Sequence, residues 1–177
     1  TRGFSWRFDA PLDMRMGDGI SAAELIENIS VEKLTEILRD YGDVSKAKII
    51  AHAIKEKLPK TTFQLRDLIY NPNDVAPVFQ AIRIAVNDEL GEIERALAAV
   101  PNLLGPGGIC ACVTFHSLED RLVKNTFRAW TTPAGDPRMP VVAAAPFELL
   151  KAVKPSKSEL ELNPRARSAH LRAVRKL

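Results

Sequence analysis

The hydrophobic positions of this sequence follow a helical spacing from residue 21 to residue 100, after an opening segment, residues 1–20, that is predicted to be a loop. Four short runs between residues 21 and 70 repeat apolar side chains every three or four positions, which is typical of amphipathic helices. Ser21 and Glu24 form the pattern of a capping box at the start of the first run, while Gly42 and Pro59 end the second and third. Short helices with short connections predict a small all-α bundle.

The longest helical pattern follows a turn-like segment at residues 71–74. From residue 77 to residue 100 the apolar side chains fall on one face, and we predict a single helix that Pro101 ends. Its apolar stripe consists of Phe79, Ile82, Val86, Leu90, Ile93 and Leu97. A neighbouring face carries the polar side chains Gln80, Arg83 and Asn87. This polar face indicates either plain solvation or a functional or packing role, since Asn and Gln are mediocre choices for an exposed helix surface.

The pattern becomes strand-like after a glycine-rich turn at residues 105–108. The apolar run 109–115 (ICACVTF), bounded by glycine, predicts a buried strand. Ser117 is placed to cap the helix that follows, with Asp120 near its third position. Further on, residues 141–145 could form a short strand, and the alternation that starts at Ala169 is typical of an edge strand.

Composition and cysteine usage narrow the class of protein. The 177 residues are 46% hydrophobic and 27% charged, which is enough for one ordinary core with a small appended domain. No apolar run approaches the roughly 20 residues that cross a bilayer, so we predict no membrane partner. Cys110 and Cys112 lie two apart on one strand, without further Cys or His ligands nearby. We interpret them as reduced core thiols rather than a metal site, which fits a cytoplasmic location.

Positive charge is concentrated at the end of the sequence. Residues 151–177 carry eight basic and two acidic side chains, a net +6, whereas the whole chain is only +3. Such a segment indicates a polyanionic partner, RNA or DNA first, or a solvated basic edge, and the charge alone leaves both open.

Four segments together resemble one protein family. They are residues 2–16 (RGFSWRFDAPLDMRM), 78–90 (VFQAIRIAVNDEL), 114–124 (TFHSLEDRLVK) and 163–173 (NPRARSAHLRA). In order and in rough spacing they resemble the MraW/RsmH methyltransferases, over nearly the whole chain. One segment alone would be a weak match, whereas four in order are a specific one.

The resemblance implies an α/β fold: part of a class I, Rossmann-like methyltransferase domain with an inserted all-α helical domain. Residues 1–20 would then be a loop of the methyltransferase domain, 21–74 the inserted helical domain, and 75–177 the C-terminal part of the methyltransferase domain. It also implies S-adenosylmethionine as the methyl donor and N4 of a cytidine in 16S ribosomal RNA as the acceptor. The implied partner is small-subunit ribosomal RNA or the 30S particle, and a homodimer stays open.

The donor side of the family's pattern does not occur in this sequence. The family has a Gly-rich loop with a Gly-Gly-His element, an acidic ribose ligand and an Asp-Leu-Gly segment, all before the block that begins here at Arg2. The glycines at 105–108 precede a strand, whereas a cofactor loop follows one and opens a helix. Either the chain is a fragment or parts of a longer protein are not represented, and the sequence leaves open whether about a hundred residues lie upstream. The cofactor-binding residues stay unknown.

The chemistry of N4 methylation suggests which residues matter. The cytosine amino group is a poor nucleophile, because its lone pair is delocalised into the ring, so the enzyme must orient it and accept its N–H hydrogen bond. As catalytic residues we predict His116, Asp13 and Asp9. As substrate-binding residues we predict Phe4, Phe8, Arg15, Ser117, Gln80, Arg83, Asn87, Arg165 and Arg167, with aromatic stacking on the base and arginine contacts to phosphate.

Plainer roles remain open for several of these residues. Ser117 could be only a helix cap, and His116 only a hydrogen-bonded structural residue. Asp13 could belong to a buried loop network around Arg15, and the arginines at 165 and 167 could clamp carboxylates. A hypothesis of another class is a cofactor-free RNA-binding or scaffold fragment, which the absent Gly-rich loop and the basic end of the sequence favour.

Overall fold

The chain folds into two compact units, Thr1–Glu89 and Leu90–Leu177. The computed structural model describes residues 2–133 and 145–177. The helices, in chain order, are α1 (Ala22–Asn28), α2 (Val31–Gly42), α3 (Ala47–Lys57), α4 (Thr62–Asp67), α5 (Pro72–Asn87), α6 (Glu89–Leu103), α7 (Ser117–Thr131) and α8 (Lys157–Leu162). The strands are β1 (Ile109–Thr114), β2 (Phe147–Leu149) and β3 (His170–Lys176), and a 3-10 helix covers Pro164–Ser168. The fold is therefore mixed α/β, with many helices and a small sheet.

The helices of the first unit form where the spacing predicted them. Ser21 caps α1 through a full capping box, in which its hydroxyl accepts from the Glu24 amide and the Glu24 carboxylate accepts from the Ser21 amide. Gly42 is the last residue of α2, and its role is close packing. A Cβ there would lie 2.8 Å from the carbonyl oxygen of Pro77 in α5. The contact between α2 and α5 is thus the central packing of this unit.

The opening loop, residues 2–20, contributes to the core of the first unit although it has no regular structure. Leu12 and Met14 are almost fully buried in the same cluster as the helices. The Leu12 amide donates to the carbonyl of Lys60 at 2.9 Å, and the hydroxyl of Thr62 donates to the carbonyl of Phe8 at 2.7 Å. Burial of apolar side chains and these long-range bonds offset the entropy of fixing the loop.

The single helix predicted over residues 77–100 is wrong, because the chain forms two helices there. α5 ends at Asn87, Asp88 adopts a left-handed conformation with φ 47°, and α6 begins at Glu89. Asp tolerates this region better than most residues. Pro101 does not end the second helix, which continues to Leu103, and residues 71–74 form the cap and first turn of α5 rather than a separate turn.

The second unit contains a three-stranded antiparallel sheet in the order β1–β3–β2. β3 lies in the centre of this sheet, so the expectation of an edge strand at the end of the sequence is wrong. Thr114 pairs with His170 and Ile109 with Arg175, which fixes the register of β1 on β3. The strand expected at 141–145 falls, except for Ala145, outside the described residues.

β1 is buried on one face only, contrary to the buried strand that its apolar run predicted. Cys110 and Cys112 face the core cluster formed by Leu97, Val123, Phe127, Phe147 and Val174. Both cysteines are free thiols, and burial raises the pKa of Cys112 to about 11. On the other face, Ile109 and Val113 are 52% and 57% exposed.

Across residues 2–133 and 145–177, none of the helices has both the length and the apolar character that a bilayer crossing requires.

We expect Ile54→Ala to lower the free energy of unfolding of the first unit by about 2–5 kcal/mol, because Ile54 is fully buried and the truncation leaves a cavity. Ile49→Ala, on the same helix but 68% exposed, should change it by no more than about 0.5 kcal/mol. Urea unfolding followed by Trp6 fluorescence in a Trp130→Phe background measures both. Equal losses in the two variants would contradict this packing of α3.

Candidate functional site

A small cavity opens between the opening loop and α5 in the first unit. Its volume is about 170 Å³, and its lining consists of Phe4, Trp6, Met14, Ala76, Phe79, Gln80 and Arg83. The sequence pointed to Phe4, Gln80 and Arg83, and the structure brings these three together. It missed Trp6, Met14, Ala76 and Phe79, although the alternation of Phe4 and Trp6 in the loop was a usable signal.

Aromatic rings form the walls of this cavity. Trp6 meets Phe79 edge to face, with ring centroids 5.9 Å apart and an interplanar angle of 64°. Phe4 remains 42% exposed at the cavity although it is a large apolar side chain. An exposed ring beside a buried aromatic pair is an arrangement that can hold a flat, unsaturated ring by stacking.

Two polar side chains reach the cavity from one face of α5. Arg83 forms a bidentate ion pair with Glu89, at 2.8 and 3.0 Å, and the Glu89 side chain is only 11% exposed. This pair uses two of the five guanidinium N–H groups and leaves three as donors. The Gln80 amide donates a long hydrogen bond of 3.5 Å to the carbonyl of Tyr41. Its side-chain oxygen has no partner among the described residues, so it is free to accept.

Asn87 fixes the opening loop to the end of α5. Its side-chain oxygen accepts from the Met16 amide at 2.7 Å, and its NH2 group donates to the carbonyls of Met14 and Arg83 at 2.8 and 2.9 Å. Met14 has a left-handed backbone with φ 60°, which is unusual for a residue with a side chain. Asn87 therefore positions the loop that supplies one wall of the cavity.

Asp13 and Asp9 are engaged within the loop and do not line the cavity. Asp13 forms a bidentate pair with Arg15, at 2.6 and 3.0 Å, and this guanidinium lowers the pKa of Asp13 to about 2. This pair is the loop network around Arg15 that the sequence analysis gave as the alternative role of Asp13. The hydroxyl of Thr61 and the amide of Phe63 lower the pKa of Asp9, which lies at the start of α4. Phe8 is exposed, outside the cavity lining.

In the second unit, His116 begins α7, and the prediction that Ser117 is the cap is wrong. The Nδ1 of His116 accepts from the Glu119 amide at 3.4 Å, while the Glu119 carboxylate accepts from the amides of Phe115 and His116 at 2.8 and 3.3 Å. Ser117 is the first helical residue. Sequence reasoning missed this because histidine is an uncommon cap, whereas serine is a preferred one.

The other ring nitrogen of His116 has no hydrogen bond. Nε2 is buried without a hydrogen-bond partner, although the Glu119 carboxylate oxygen lies 3.1 Å away. The distance permits a bond but its geometry does not, so the contact is electrostatic. Burial raises the pKa of Glu119, but the nearby His116 ring and the backbone amides of Phe115 and His116 outweigh that and leave it below its ordinary value.

Asp120 ties α7 to β3 instead of capping the helix as predicted. Its carboxylate accepts two hydrogen bonds from Arg172, at 2.7 and 2.9 Å, and lies 3.2 Å from Nδ1 of His170. The hydroxyl of Thr114, the last residue of β1, lies 3.4 Å away. The Arg172 guanidinium lowers the pKa of Asp120 to about 2. Two of the four sequence segments, 114–124 and 163–173, therefore meet at this ion pair.

Arg165 and Arg167 project from the 3-10 helix and are exposed. Neither side chain has a hydrogen bond or an ion pair with any part of the chain that the structure describes. The carboxylate clamp that the sequence left open for them is therefore not formed there, and both guanidinium groups are available to a ligand.

Comparison with known proteins adds to this geometry. The model of the MraW methylase family matches residues 1–177. The chain belongs to the MraW methylase family. Proteins named ribosomal RNA small subunit methyltransferase H are similar to it: 46% identical over 193 residues in Myxococcus xanthus (strain DK1622), covering 99% of this chain and 64% of the relative. The one from Chelativorans sp. (strain BNC1) is 47% identical over 193 residues, covering 99% and 57%.

A third relative of the same name, from Caulobacter vibrioides (strain NA1000 / CB15N), is 46% identical over 194 residues, which cover 98% of this chain and 62% of the relative. The chain thus spans less than two thirds of the length of these family members. The family relationship expected from the four segments is confirmed.

Removing the side-chain amide of Asn87 should loosen the cavity of this family member. We expect Asn87→Ala to lower the free energy of unfolding by about 1–3 kcal/mol, because two loop groups lose their partners. Asn73→Ala, an exposed position in the same helix, should stay within about 0.5 kcal/mol. Urea unfolding followed by Trp6 fluorescence compares them. An Asn87 variant as stable as the Asn73 variant would show that the loop is held by other contacts.

The pairing of Asp120 with Arg172 should appear in the pH dependence of stability. The folded pKa lies below the ordinary 3.8, so the pair stabilises above about pH 4 and this contribution disappears as the pH falls towards 2. Asp120→Asn should cost about 1–2 kcal/mol at pH 7, after allowance for partial exposure. The cost should shrink between pH 4 and 2.

The measurement is urea unfolding at a series of pH values, followed by Trp130 fluorescence in a Trp6→Phe background. Glu161→Gln, which removes an exposed carboxylate of the same unit, serves as the control and should change stability little at any pH. A cost of Asp120→Asn that stays constant down to pH 2 would argue against the ion pair.

Proposed function

We propose that this chain is part of an enzyme that transfers a methyl group from S-adenosylmethionine to N4 of a cytidine in 16S ribosomal RNA. The observation that carries the proposal is the aromatic cavity between the opening loop and α5, in a member of the MraW methylase family. The names of the relatives, ribosomal RNA small subunit methyltransferase H, support the substrate class.

The lining of the cavity suits one pyrimidine ring. Phe4 can stack on the face of an unpaired base, and the aromatic pair of Trp6 and Phe79 closes the other side. A base that is methylated on an exocyclic nitrogen must leave its helix or be single-stranded, so an open, exposed ring is suited to capture it.

The polar groups of the cavity match the edge of cytosine. The free side-chain oxygen of Gln80 can accept a hydrogen bond from the N4 amino group, which favours localisation of the lone pair on nitrogen. The remaining N–H donors of Arg83 can bind the carbonyl oxygen or the ring nitrogen acceptor of the base. Both residues lie one helical turn apart on α5, so a single rigid element orients the base.

The other residues that the sequence predicted as catalytic or substrate-binding remain part of this proposal. We retain His116, Asp9 and Asp13 as candidate catalytic residues, and Phe8, Arg15, Ser117, Asn87, Arg165 and Arg167 as candidate substrate contacts. Asp13 is ionised at neutral pH, since its pKa is about 2, so it can act as an acceptor. Asn87 is better understood as a positioning residue, because its amide already holds the loop.

The proposal includes S-adenosylmethionine as methyl donor because the chain belongs to a methylase family. Within residues 2–133 and 145–177, no strand leads through a glycine-rich loop into a helix, which is the usual cradle of a nucleotide cofactor. β1 is followed by Phe115 and His116, and α7 begins without glycine. These residues do not fit the donor.

We also propose that the second unit is part of a class I, Rossmann-like domain, with residues 1–20 and 75–177 in that domain and 21–74 as an inserted helical domain. The support is the position of β1 at the edge of the sheet. Among the described residues it pairs on one side only, with β3, and its outer face is apolar and exposed together with Phe115. An edge of this kind suits further strands and helices. α5, however, packs with α2 in the first unit.

A second candidate function is a cofactor-free RNA-binding fragment, which the missing cofactor cradle and the free guanidinium groups of Arg165 and Arg167 favour. Calorimetry with S-adenosylmethionine separates the two. With protein expressed from its complete gene, binding of the donor would exclude this second candidate, whereas salt-sensitive RNA binding without donor binding would favour it.

The proposed enzyme is tested by transfer of labelled methyl from S-adenosylmethionine to unmethylated small-subunit RNA or 30S particles, with protein expressed from its complete gene. We expect Phe4→Ala to lower kcat/KM by roughly 10-fold or more, because stacking of a base on an aromatic ring contributes about 1–3 kcal/mol. Tyr70→Ala, which removes an almost fully exposed ring outside the cavity, should leave kcat/KM unchanged. Absence of transfer by the unaltered protein would refute the function, and full activity of Phe4→Ala would refute the role of the cavity.

A further inference from the structure

Helix α7 has two contrasting faces. Val123 and Phe127 are fully buried in the core of the second unit. On the opposite face Arg121, Lys124 and Arg128 are exposed, at spacings of three and four residues. Residues at this spacing lie on one side of a helix, so they form a continuous basic stripe. With a rise of about 1.5 Å per residue, the stripe is about 10 Å long.

The three cations of this stripe are not neutralised within the described residues. None of them has a side-chain hydrogen bond or ion pair there, and α7 has no acidic residue after Asp120. The two acids of its first turn are already engaged, Glu119 with the helix start and Asp120 with Arg172. The stripe therefore presents three uncompensated positive charges to solvent.

Several cations of the first unit, by contrast, are each paired with a neighbouring carboxylate. In the first unit Lys33 pairs with Glu36 at 3.0 Å, Arg39 with Asp40 at 2.7 Å, and the side chain of Arg66 with Asp67 at 2.8 Å. The overall charges agree with this contrast. Residues 90–177 contain thirteen basic and eight acidic side chains, while residues 1–89 contain twelve and fourteen. Attraction for a polyanion is therefore expected at the second unit.

A shallow groove adjoins the end of the stripe. Its volume is about 560 Å³, and it is lined by Asn125, Arg128, Ala129, Thr132 and Pro133. Asn125 has no side-chain hydrogen bond among the described residues, so its amide can both donate and accept. The groove combines a guanidinium, an amide and small apolar groups, which suits the sugar and base beside a bound phosphate.

We propose that the exposed face of α7 is a docking surface for the RNA backbone, with Arg121, Lys124 and Arg128 on successive phosphates. The charge density favours this partner, because a nucleic acid strand carries one negative charge per roughly 3.4 Å, close to three charges along about 10 Å. The inference rests on the proposed function for the identity of the partner as RNA, and it assigns a surface distinct from the base-binding cavity. It holds the substrate strand independently of sequence and leaves recognition of the base to the cavity.

The test is the salt dependence of RNA binding by the triple variant R121Q/K124Q/R128Q, with protein expressed from its complete gene. Each lost phosphate contact on a single strand lowers the slope of log K against log salt by about 0.7, so we expect the slope to fall by about 2. The loss should be equal for a small-subunit RNA fragment and an unrelated single strand, because phosphate contacts carry no sequence information. Fluorescence anisotropy from about 50 to 200 mM salt measures it.

Two further variants keep the result interpretable. K33Q/R39Q/R66Q removes the same number of lysines and arginines from ion-paired positions of the first unit, and its slope should not change. R121K/K124R/R128K keeps the charges and should retain the slope of the unaltered protein. An unchanged slope in R121Q/K124Q/R128Q, an equal drop in the control, or a larger drop in binding to anionic lipid vesicles than to RNA would overturn the proposal. The single variant R128Q should lower the slope by about 0.7 and decides the matter if the triple variant does not fold.

Failure of this surface and failure of the proposed enzyme give different results. If the slope falls as expected but no methyl is transferred by the unaltered protein, the docking surface stands and the methylation proposal falls. If methyl transfer occurs and the slope is unchanged, only the docking surface is wrong. Phe4→Ala should leave the slope unchanged, because it removes no charge.

Discussion

The hold of Asn87 on the opening loop is the interaction on which the candidate site depends. Ordering a loop costs about 1–2 kcal/mol per residue in backbone entropy, and this loop has no helix or strand to offset it, only isolated hydrogen bonds and burial. Burial of Leu12 and Met14 anchors the loop to the helices. The side-chain amide of Asn87, at the end of α5, binds the Met14 carbonyl and the Met16 amide and so fixes the left-handed backbone at Met14. Without this arrangement Phe4 and Trp6 would have no defined position opposite Phe79, and the cavity would have one wall.

Charge is organised differently in the two units. In the first unit several exposed cations pair with neighbouring carboxylates, and acidic side chains outnumber basic ones by fourteen to twelve. In the second unit the pair of Asp120 with Arg172 joins helix and sheet, while the cations of α7 and of the 3-10 helix have no ion pair among the described residues. Since internal pairing fixes the scaffold and free charge attracts a polyanion, the same residue types serve architecture in one place and recognition in another.

Much of the first unit could be predicted from the sequence because its signals are local. The Ser21 capping box, the helical spacing and the polar face of α5 with Gln80 and Arg83 all depend on residues a few positions apart. The break at Asp88 was missed because one left-handed residue hardly disturbs the apolar spacing, so two helices look like one. The central position of β3 depends on partners far along the chain, which periodicity cannot reveal. The capping role of His116 is local, with Glu119 three residues away, and was missed because histidine is an uncommon cap.

The position of β1 as an edge strand has a consequence for the behaviour of the chain in solution. The strand ICACVT has no charged residue, no proline and no glycine, and no strand among the described residues pairs with its outer edge. Natural sheets guard such edges with lysine, proline or a covering element, because an unguarded edge recruits strands from other molecules. Whatever covers β1 in the cell therefore also acts as protection against aggregation, and the order of folding matters. The cover must reach this edge before a second copy of the strand does.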